Sequence, residues 1–276
     1  MTVSAHDIAT PAPASRVAPP ALADLGRAMR LLHVIAFMAA GDLRARYRRS
    51  VLGPFWMTLG TAAGSLGLGL VWSELLHMDR AAFVPSLTCG LVMWYLLSGC
   101  IAEATTTYWR HSAILRNLGV PLSMPPIQML FKHLINFLHN VPVLAAVILI
   151  FHLPVGAATL LVVPCLALVA VNLLWITLLL AMLGARFRDL EYVVGAALPL
   201  LMFLSPVFYR PSYLPFNERF VWFNPLSHLI EIVRYPLLGS APPGFVVLTA
   251  SLLAAGGWIL TLWLFNAKRN RIAYWL

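Results

Sequence analysis

Few side chains in this sequence could carry out chemistry, and their spacing does not group them into a known site. Only two of the 19 basic residues are lysines, Lys132 and Lys268, and neither follows a glycine. A phosphate-binding loop requires Gly-Lys-Ser/Thr, so any ATP hydrolysis must take place on another polypeptide. The eight histidines form no His-Glu-x-x-His motif and have no paired spacing with cysteines, and no Gly-x-Ser-x-Gly elbow is found. The sequence therefore predicts a chain with no catalytic residues and no bound metal.

The cysteines and the acidic residues argue against two other kinds of chemistry. Cys89, Cys100 and Cys165 all lie inside apolar runs, which is typical of core residues rather than of a disulfide framework. An ion-coupled carrier needs acidic groups within its membrane spans. Glu74 and Glu103 fall near the ends of predicted spans, so a secondary transporter is disfavoured.

Composition places the chain in a membrane. Of 276 residues 61% are hydrophobic and 11% charged, with a mean hydropathy of +0.83, so most of the surface must face lipid. A helix needs about 20 apolar residues to cross the hydrocarbon layer. Such runs predict an all-α integral membrane protein with about six transmembrane helices, at 53–76, 84–105, 127–151, 156–184, 192–209 and 244–266.

The distribution of basic residues predicts the orientation. An even number of spans places both termini on one side, and fourteen of the 19 Lys and Arg residues fall on that side. The opposite side has four: Arg80, Arg210, Arg219 and Arg234. Because cytoplasmic segments are enriched in Lys and Arg, both termini are predicted to be cytoplasmic.

The region before the first span divides into two parts. Residues 1–21 are rich in Pro and Ala without an apolar core, which predicts a disordered tail and no signal peptide. Residues 22–50 predict an amphipathic helix on the cytoplasmic interface, with apolar side chains three and four apart and a cationic end. That end is either a positive-inside anchor or, in addition, a docking surface for a cytoplasmic partner.

Between the last two spans the pattern becomes aromatic and is broken by prolines. Residues 206–240 predict a periplasmic re-entrant segment, with short helices near 215–223 and 225–237 that enter the outer leaflet without crossing it. Glu231 and Arg234 are three apart and can pair on one helical face. The pair either supports a partly buried helix or acts in a periplasmic gate.

Three separated motifs resemble one protein family. DLRARYRRSVLGPFW (42–56) is similar to the start of the first span in permease subunits of type-2 ABC exporters for O-antigen, capsular polysaccharide and teichoic acid. PVFYRPSYLP (206–215) with FNPLSHLIEIVR (223–234), and the tail RNRIAYWL (269–276), resemble the late part of the same family. Residues 22–276 are then one ABC-2 type transmembrane domain.

The resemblance implies partners for this chain. It implies a homodimer of permeases, each docked to a separate ABC ATPase that carries ATP and Mg²⁺, in a bacterial inner membrane. Residues 108–122 would form the coupling helix, with Arg110 and Arg116 as candidate contacts to the ATPase. Alternatively, these two arginines only satisfy the positive-inside bias.

A glycan path favours aromatic faces, because sugars present C–H faces and must slide past. The candidates are Trp72, Trp94, Tyr95, Phe203, Phe208, Tyr209, Trp222 and Phe223. Aromatic anchoring at the membrane interfaces is the alternative for all of them. At the inner mouth, Arg46, Arg48 and Arg49 are candidates to bind the pyrophosphate of a polyprenyl-linked donor.

The sequence thus predicts the transmembrane subunit of an ATP-driven exporter of lipid-linked polysaccharide such as O-antigen. The first alternative is a type-2 ABC exporter of a drug or lipid. A membrane-bound glycan-modifying enzyme and a structural membrane scaffold are the others. The enzyme would need an essential acid or histidine facing a polar cavity.

Overall fold

The computed structural model describes residues 20–53, 55–75, 77–211 and 218–275, and the secondary-structure elements in these ranges are all helices. Nearly all of the predicted N-terminal tail lies outside the described residues, as do residues 212–217 of the predicted re-entrant segment. The helices are α1 Ala21–Arg30, α2 Leu32–Tyr47, α3 Phe55–Leu75, α4 Arg80–Arg110, α5 Ser112–Leu118, α6 Met124–Ile150, α7 Ala157–Leu160, α8 Val162–Arg186, α9 Leu190–Leu204, α10 Arg219–Trp222, α11 Pro225–Leu237 and α12 Gly244–Trp275. The predicted all-α membrane fold is confirmed.

Five segments of the described chain are long and apolar enough to cross a membrane: α3, α4, α6, α7 with α8, and α12. The helix at the fifth predicted span (192–209), α9, has only 15 residues. It ends at Leu204 because Ser205 is extended (ψ 152°) before Pro206, and a residue before proline is disfavoured in helical conformation. The helical part of this span is therefore shorter than predicted.

The predicted interface helix is divided in two at Leu31, which leaves helical geometry between α1 and α2. Buried residues recur along one side of both helices, at Ala21, Asp24, Ala28, Ile35, Ala39 and Leu43. Ala28 and Ile35 pack against Met124 and Ile127 at the start of α6. The apolar face predicted for this region is thus buried against the helix bundle.

Helix α4 is the centre of the bundle. Its most apolar stretch is 78% buried, and α3, α6, α8, α9 and α11 all pack on it. The main core cluster takes more residues from α4 than from any other helix and is completed by residues of α6, α8, α11 and α12 and by Val207. At the crossing with α8 the backbones approach so closely that a Cβ on Gly184 would lie 1.9 Å from the Thr105 carbonyl oxygen. Only glycine fits at this point.

One end of the bundle gathers both ends of the described chain. Residues of α1, α4, α5, α8 and α12 form one apolar cluster there: Ala21, Tyr108, Leu115, Leu178, Ala181, Met182, Ala185, Phe265 and Ile272. We call this the basic end, because Arg110, Arg116 and Arg186 lie beside the cluster in the sequence. The far end contains the turn between α3 and α4, and α11.

The Gly184 crossing gives a test of helix packing. Replacing Gly184 with Ala forces α4 and α8 apart and should lower stability by about 1–3 kcal/mol, as overpacking does. The measurement is the thermal unfolding midpoint of the purified chain in detergent. Gly195→Ala on α9 is the matched control, since a Cβ there meets nothing within 4 Å. Equal midpoints for the two variants would contradict the close crossing.

Candidate functional site

The predicted pair of Glu231 and Arg234 is present at the far end, on α11. Asn224 caps this helix, its side-chain oxygen accepting from the Leu226 amide at 3.0 Å, and Pro225 occupies the first turn, as the sequence predicts. Glu231 is 3% exposed and Arg234 is 1% exposed, and their side chains form an ion pair. A charge buried this deeply is tolerated only when it is paired and hydrogen-bonded.

Arg234 also holds the segment that follows α9. Its guanidinium donates to the carbonyl oxygens of Pro206, Val207 (3.3 Å) and Tyr209 (3.2 Å). Two further side-chain bonds fix the same segment: Asn224 donates to the Ser205 hydroxyl at 2.8 Å, and Arg210 donates to the Ser86 hydroxyl at 3.2 Å. We call Glu231, Arg234 and residues 205–210 the clamp.

The clamp fits against α4 only because residue 90 is glycine. A Cβ on Gly90 would lie 2.2 Å from both Arg234 Nη2 and the Val207 carbonyl oxygen. Stacking of Trp72 on Phe208, with ring centroids 5.9 Å apart, brings the end of α3 to the same segment. The clamp therefore ties α3, α4, α9 and α11 together at the far end.

The aromatic residues predicted to line a path occupy different environments. Tyr95, Phe203 and Phe223 are exposed, Trp72, Phe208, Tyr209 and Trp222 are half-buried, and Trp94 is 4% exposed within the core. Trp72, Phe208 and Phe203 form a row, with Phe203 and Phe208 centroids 5.5 Å apart. The Trp222 ring instead packs with His228 and Phe245 near α12. The structure thus groups three candidates and separates Trp94 and Trp222 from them.

Tyr209 belongs to the clamp segment, and its hydroxyl lies 3.4 Å from the Phe203 and Leu204 carbonyl oxygens. The hydroxyl acts as a hydrogen-bond donor to the open end of α9.

A second charged cluster joins α4 to α6 and is not among the pairs predicted from the sequence. Glu103 forms an ion pair with Lys132 and accepts a second contact from His133 Nε2 at 2.9 Å. The three side chains are 11–21% exposed. The sequence places Glu103 near the end of the predicted span 84–105, but α4 continues for seven residues beyond Glu103, to Arg110. The sequence contains one signal for this pair. Glu103 and Lys132 have opposite charges and lie at similar distances from the same membrane side in two consecutive predicted spans.

Close packing fixes this cluster. A Cβ on Gly99 would lie 2.8 Å from the His133 ring, so glycine lets the imidazole reach across to α4. On α6 the buried polar residues Gln128, Lys132, Asn136 and Asn140 follow one another at four-residue spacing and share one face. Gln128 donates to Asp42 at 2.8 Å, which links this face to α2. The polar face of α6 thus connects the interface helices to α4.

The comparisons with known proteins are consistent with this architecture. A family model described as ABC-2 type transporter matches residues 33–238. The chain belongs to the ABC-2 type transporter family. It is 23% identical to an O-antigen export system permease protein RfbA of Klebsiella pneumoniae over 250 residues, which cover 88% of this chain and 95% of that protein. It is 25% identical to a protein of the same name from Myxococcus xanthus, over 62% of this chain and 66% of that one.

In this ABC-2 family member the connection between α4 and α6 forms a short helix, α5, within the predicted coupling segment 108–122. Asp24 of α1 anchors the end of this connection. Its carboxylate accepts from the Leu122 and Ser123 amides at 3.0 and 2.8 Å and from the Ser123 hydroxyl at 2.7 Å. Arg110 and Arg116 are both exposed. The interface helices and the α5 connection therefore form one continuous surface at the basic end.

The cations predicted at the inner mouth lie at and just after the end of α2. Arg46 is at the end of α2, and Arg48 and Arg49 follow it, all exposed. In the described ranges none of them pairs with a carboxylate. They are consequently available to an anionic group.

The clamp of this family member predicts that removing one charge of its ion pair lowers stability more than removing both charges. Arg234→Met leaves Glu231 buried without its partner and should cost about 3–5 kcal/mol. The Glu231→Leu/Arg234→Met double variant removes both charges and should recover part of that loss. The measurement is again the thermal unfolding midpoint in detergent.

Arg80→Gln is the control, because it breaks an exposed pair with Glu74 at the same end and should cost less than about 1 kcal/mol. A loss in Arg234→Met no larger than in this control would show that the clamp does not stabilise the far end.

Proposed function

We propose that this chain is the permease of an ATP-driven exporter that moves a lipid-linked polysaccharide such as O-antigen across the bacterial inner membrane. The observation that carries the proposal is the match to a named O-antigen export permease over 95% of that protein's length. The ABC-2 family match over residues 33–238 supports the same mechanism. Transport, and not covalent chemistry, is then the task of this chain.

The power source is a separate ABC ATPase that carries ATP and Mg²⁺, since the sequence contains no Gly-Lys-Ser/Thr loop. Two permease copies and two ATPases form the exporter. The ATPase docks on the surface formed by α1, α2 and α5, with Arg110 and Arg116 among its contacts. The excess of Lys and Arg at this end supports a cytoplasmic orientation for both termini.

The substrate is a polyprenyl-pyrophosphate-linked glycan that enters from the cytoplasm and leaves into the periplasm. Arg46, Arg48 and Arg49 meet the pyrophosphate, because guanidinium groups bind phosphate oxygens in a bidentate manner. The exposed faces of Tyr95 and Phe203, with Trp72 and Phe208, provide sugar-stacking surface along the path. The clamp of Glu231 and Arg234 holds the periplasmic gate.

The decisive experiment is deletion of this chain in its host, with complementation. Polyprenyl-linked polysaccharide inside the cell and polymer at the surface are both quantified. We expect long glycan to accumulate inside and surface polymer to disappear, because synthesis continues while export stops. Unchanged surface glycan would overturn the polysaccharide assignment and favour export of a drug or lipid instead.

The three inner-mouth arginines give a finer test. Arg46→Gln/Arg48→Gln should lower the rate of surface polymer appearance by roughly thirtyfold, since each of the two cations near the membrane surface contributes about 1 kcal/mol toward an anion. Arg188→Gln/Arg269→Gln is the charge-matched control, because both arginines lie outside the inner mouth and outside the proposed docking surface of α1, α2 and α5. Equal export by the two variants at equal protein abundance would remove the inner-mouth role.

A further inference from the structure

A cavity of about 290 Å³ opens between the ends of α8 and α12 at the basic end. Aliphatic side chains, including Leu183 and Leu264, form its apolar wall. Three cations, Arg186, Lys268 and Arg271, line its remaining side. The cavity is therefore amphipathic, with one apolar wall and one strongly positive wall.

The register of α12 explains this division. Leu264, Lys268, Arg271 and Trp275 follow one another at spacings of four, three and four, so all four lie on one helical face. Along this face the side chains change from aliphatic, on the side toward the middle of α12, to cationic and then to aromatic at the end of the helix. Arg186, four residues after Met182 on α8, brings its charge to the same cavity.

The three cations lack an acidic partner within the described ranges. The ion pairs found there involve Arg80, Lys132, His133 and Arg234. Arg186 instead lies over aromatic rings, with its guanidinium carbon 5.8 Å from the Phe187 centroid and 5.6 Å from the Trp275 centroid. These rings orient the guanidinium without neutralising it. Three positive charges thus converge on a cavity whose described lining residues include no acidic side chain.

The cavity lies at the level where the interface helices meet the bundle. The Ala21 amide at the start of α1 donates to the Asn266 side chain at 2.8 Å, two residues before Lys268. A phosphate at this level can meet the cations while an acyl chain follows the aliphatic wall toward the bilayer interior. A free phosphate would leave that wall without an occupant.

We propose that this cavity binds the phosphate of an anionic glycerophospholipid of the bilayer, with Arg186, Lys268 and Arg271 as its ligands and Leu183 and Leu264 along its acyl chain. The lipid would fix the ends of α8 and α12 against each other at the membrane surface. This inference depends only on the membrane location of the chain and not on the exported substrate.

The test uses the full exporter reconstituted in nanodiscs of equal parts phosphatidylglycerol and phosphatidylcholine, then extracted into detergent. Lipid retained by the protein is quantified by mass spectrometry. Lys268→Gln/Arg271→Gln should retain roughly tenfold less phosphatidylglycerol than the unmodified protein, with phosphatidylcholine unchanged. Arg188→Gln/Arg269→Gln removes the same amount of charge at the same end of the bundle, from two residues that do not line the cavity, and should retain phosphatidylglycerol normally.

Two competitors distinguish the sources of the phosphate. Dihexanoyl phosphatidylglycerol should displace the retained lipid, whereas inorganic phosphate at the same concentration should not. Displacement by inorganic phosphate, or equal retention by the two double variants, would overturn the lipid site. Loss of the copurifying ATPase from Lys268→Gln/Arg271→Gln with normal lipid retention would also overturn it, because the cavity would then be a protein-docking surface.

Discussion

The structure depends on one constraint: α4 must accept close neighbours on almost every side along its whole length. Glycines meet this demand at three levels. Gly90 admits the clamp at the far end, Gly99 admits the His133 ring, and Gly184 on α8 lets that helix touch the α4 backbone at Thr105. A methyl group at any of the three would overlap a neighbouring atom. The neighbours of α4 can lie this close because these three positions carry no side chain.

The two buried charged clusters follow from the same central helix. In an apolar environment an ionised side chain needs a partner within reach. The Glu103 cluster provides one across α4 and α6, and the Glu231–Arg234 pair provides one within α11. Glu103 is matched by Lys132 and His133 of α6, and Arg234 by Glu231 and three backbone carbonyls. The Glu103 cluster therefore favours the pairing of α4 with α6, and Arg234 favours the pairing of α11 with the segment after α9. Apolar contacts alone are less specific about their partners.

Helix α4 also joins the two regions to which the proposed function assigns different tasks. Its 31 residues give a length of about 46 Å, with the α5 connection at one end and the clamp near the other. Asp24 fixes the α5 connection to α1, and Arg234 fixes the segment that follows α9 to α11. A continuous helix between two anchored regions is the element along which a displacement at one end can reach the other.

The sequence by itself determined the membrane class, the approximate spans, the cap of α11 and the pairing of Glu231 with Arg234. Each of these follows from local quantities: hydropathy over about 20 residues, spacing along one helix, and the chemistry of an Asn-Pro dipeptide. Motifs at 42–56 and 206–234 were specific enough to indicate the family. Local information suffices for all of these because none requires knowing which helices are neighbours.

Only the tertiary structure decided the contacts between distant segments. Glu103 meets Lys132 and His133 because α4 and α6 pack at a glycine, and hydropathy does not reveal that packing. The division of the interface helix at Leu31 also depends on what the flanking segments contact. Trp94 and Tyr95 are adjacent in the sequence, yet one is buried and the other exposed, since successive helical residues lie about 100° apart around a helix that is packed unevenly.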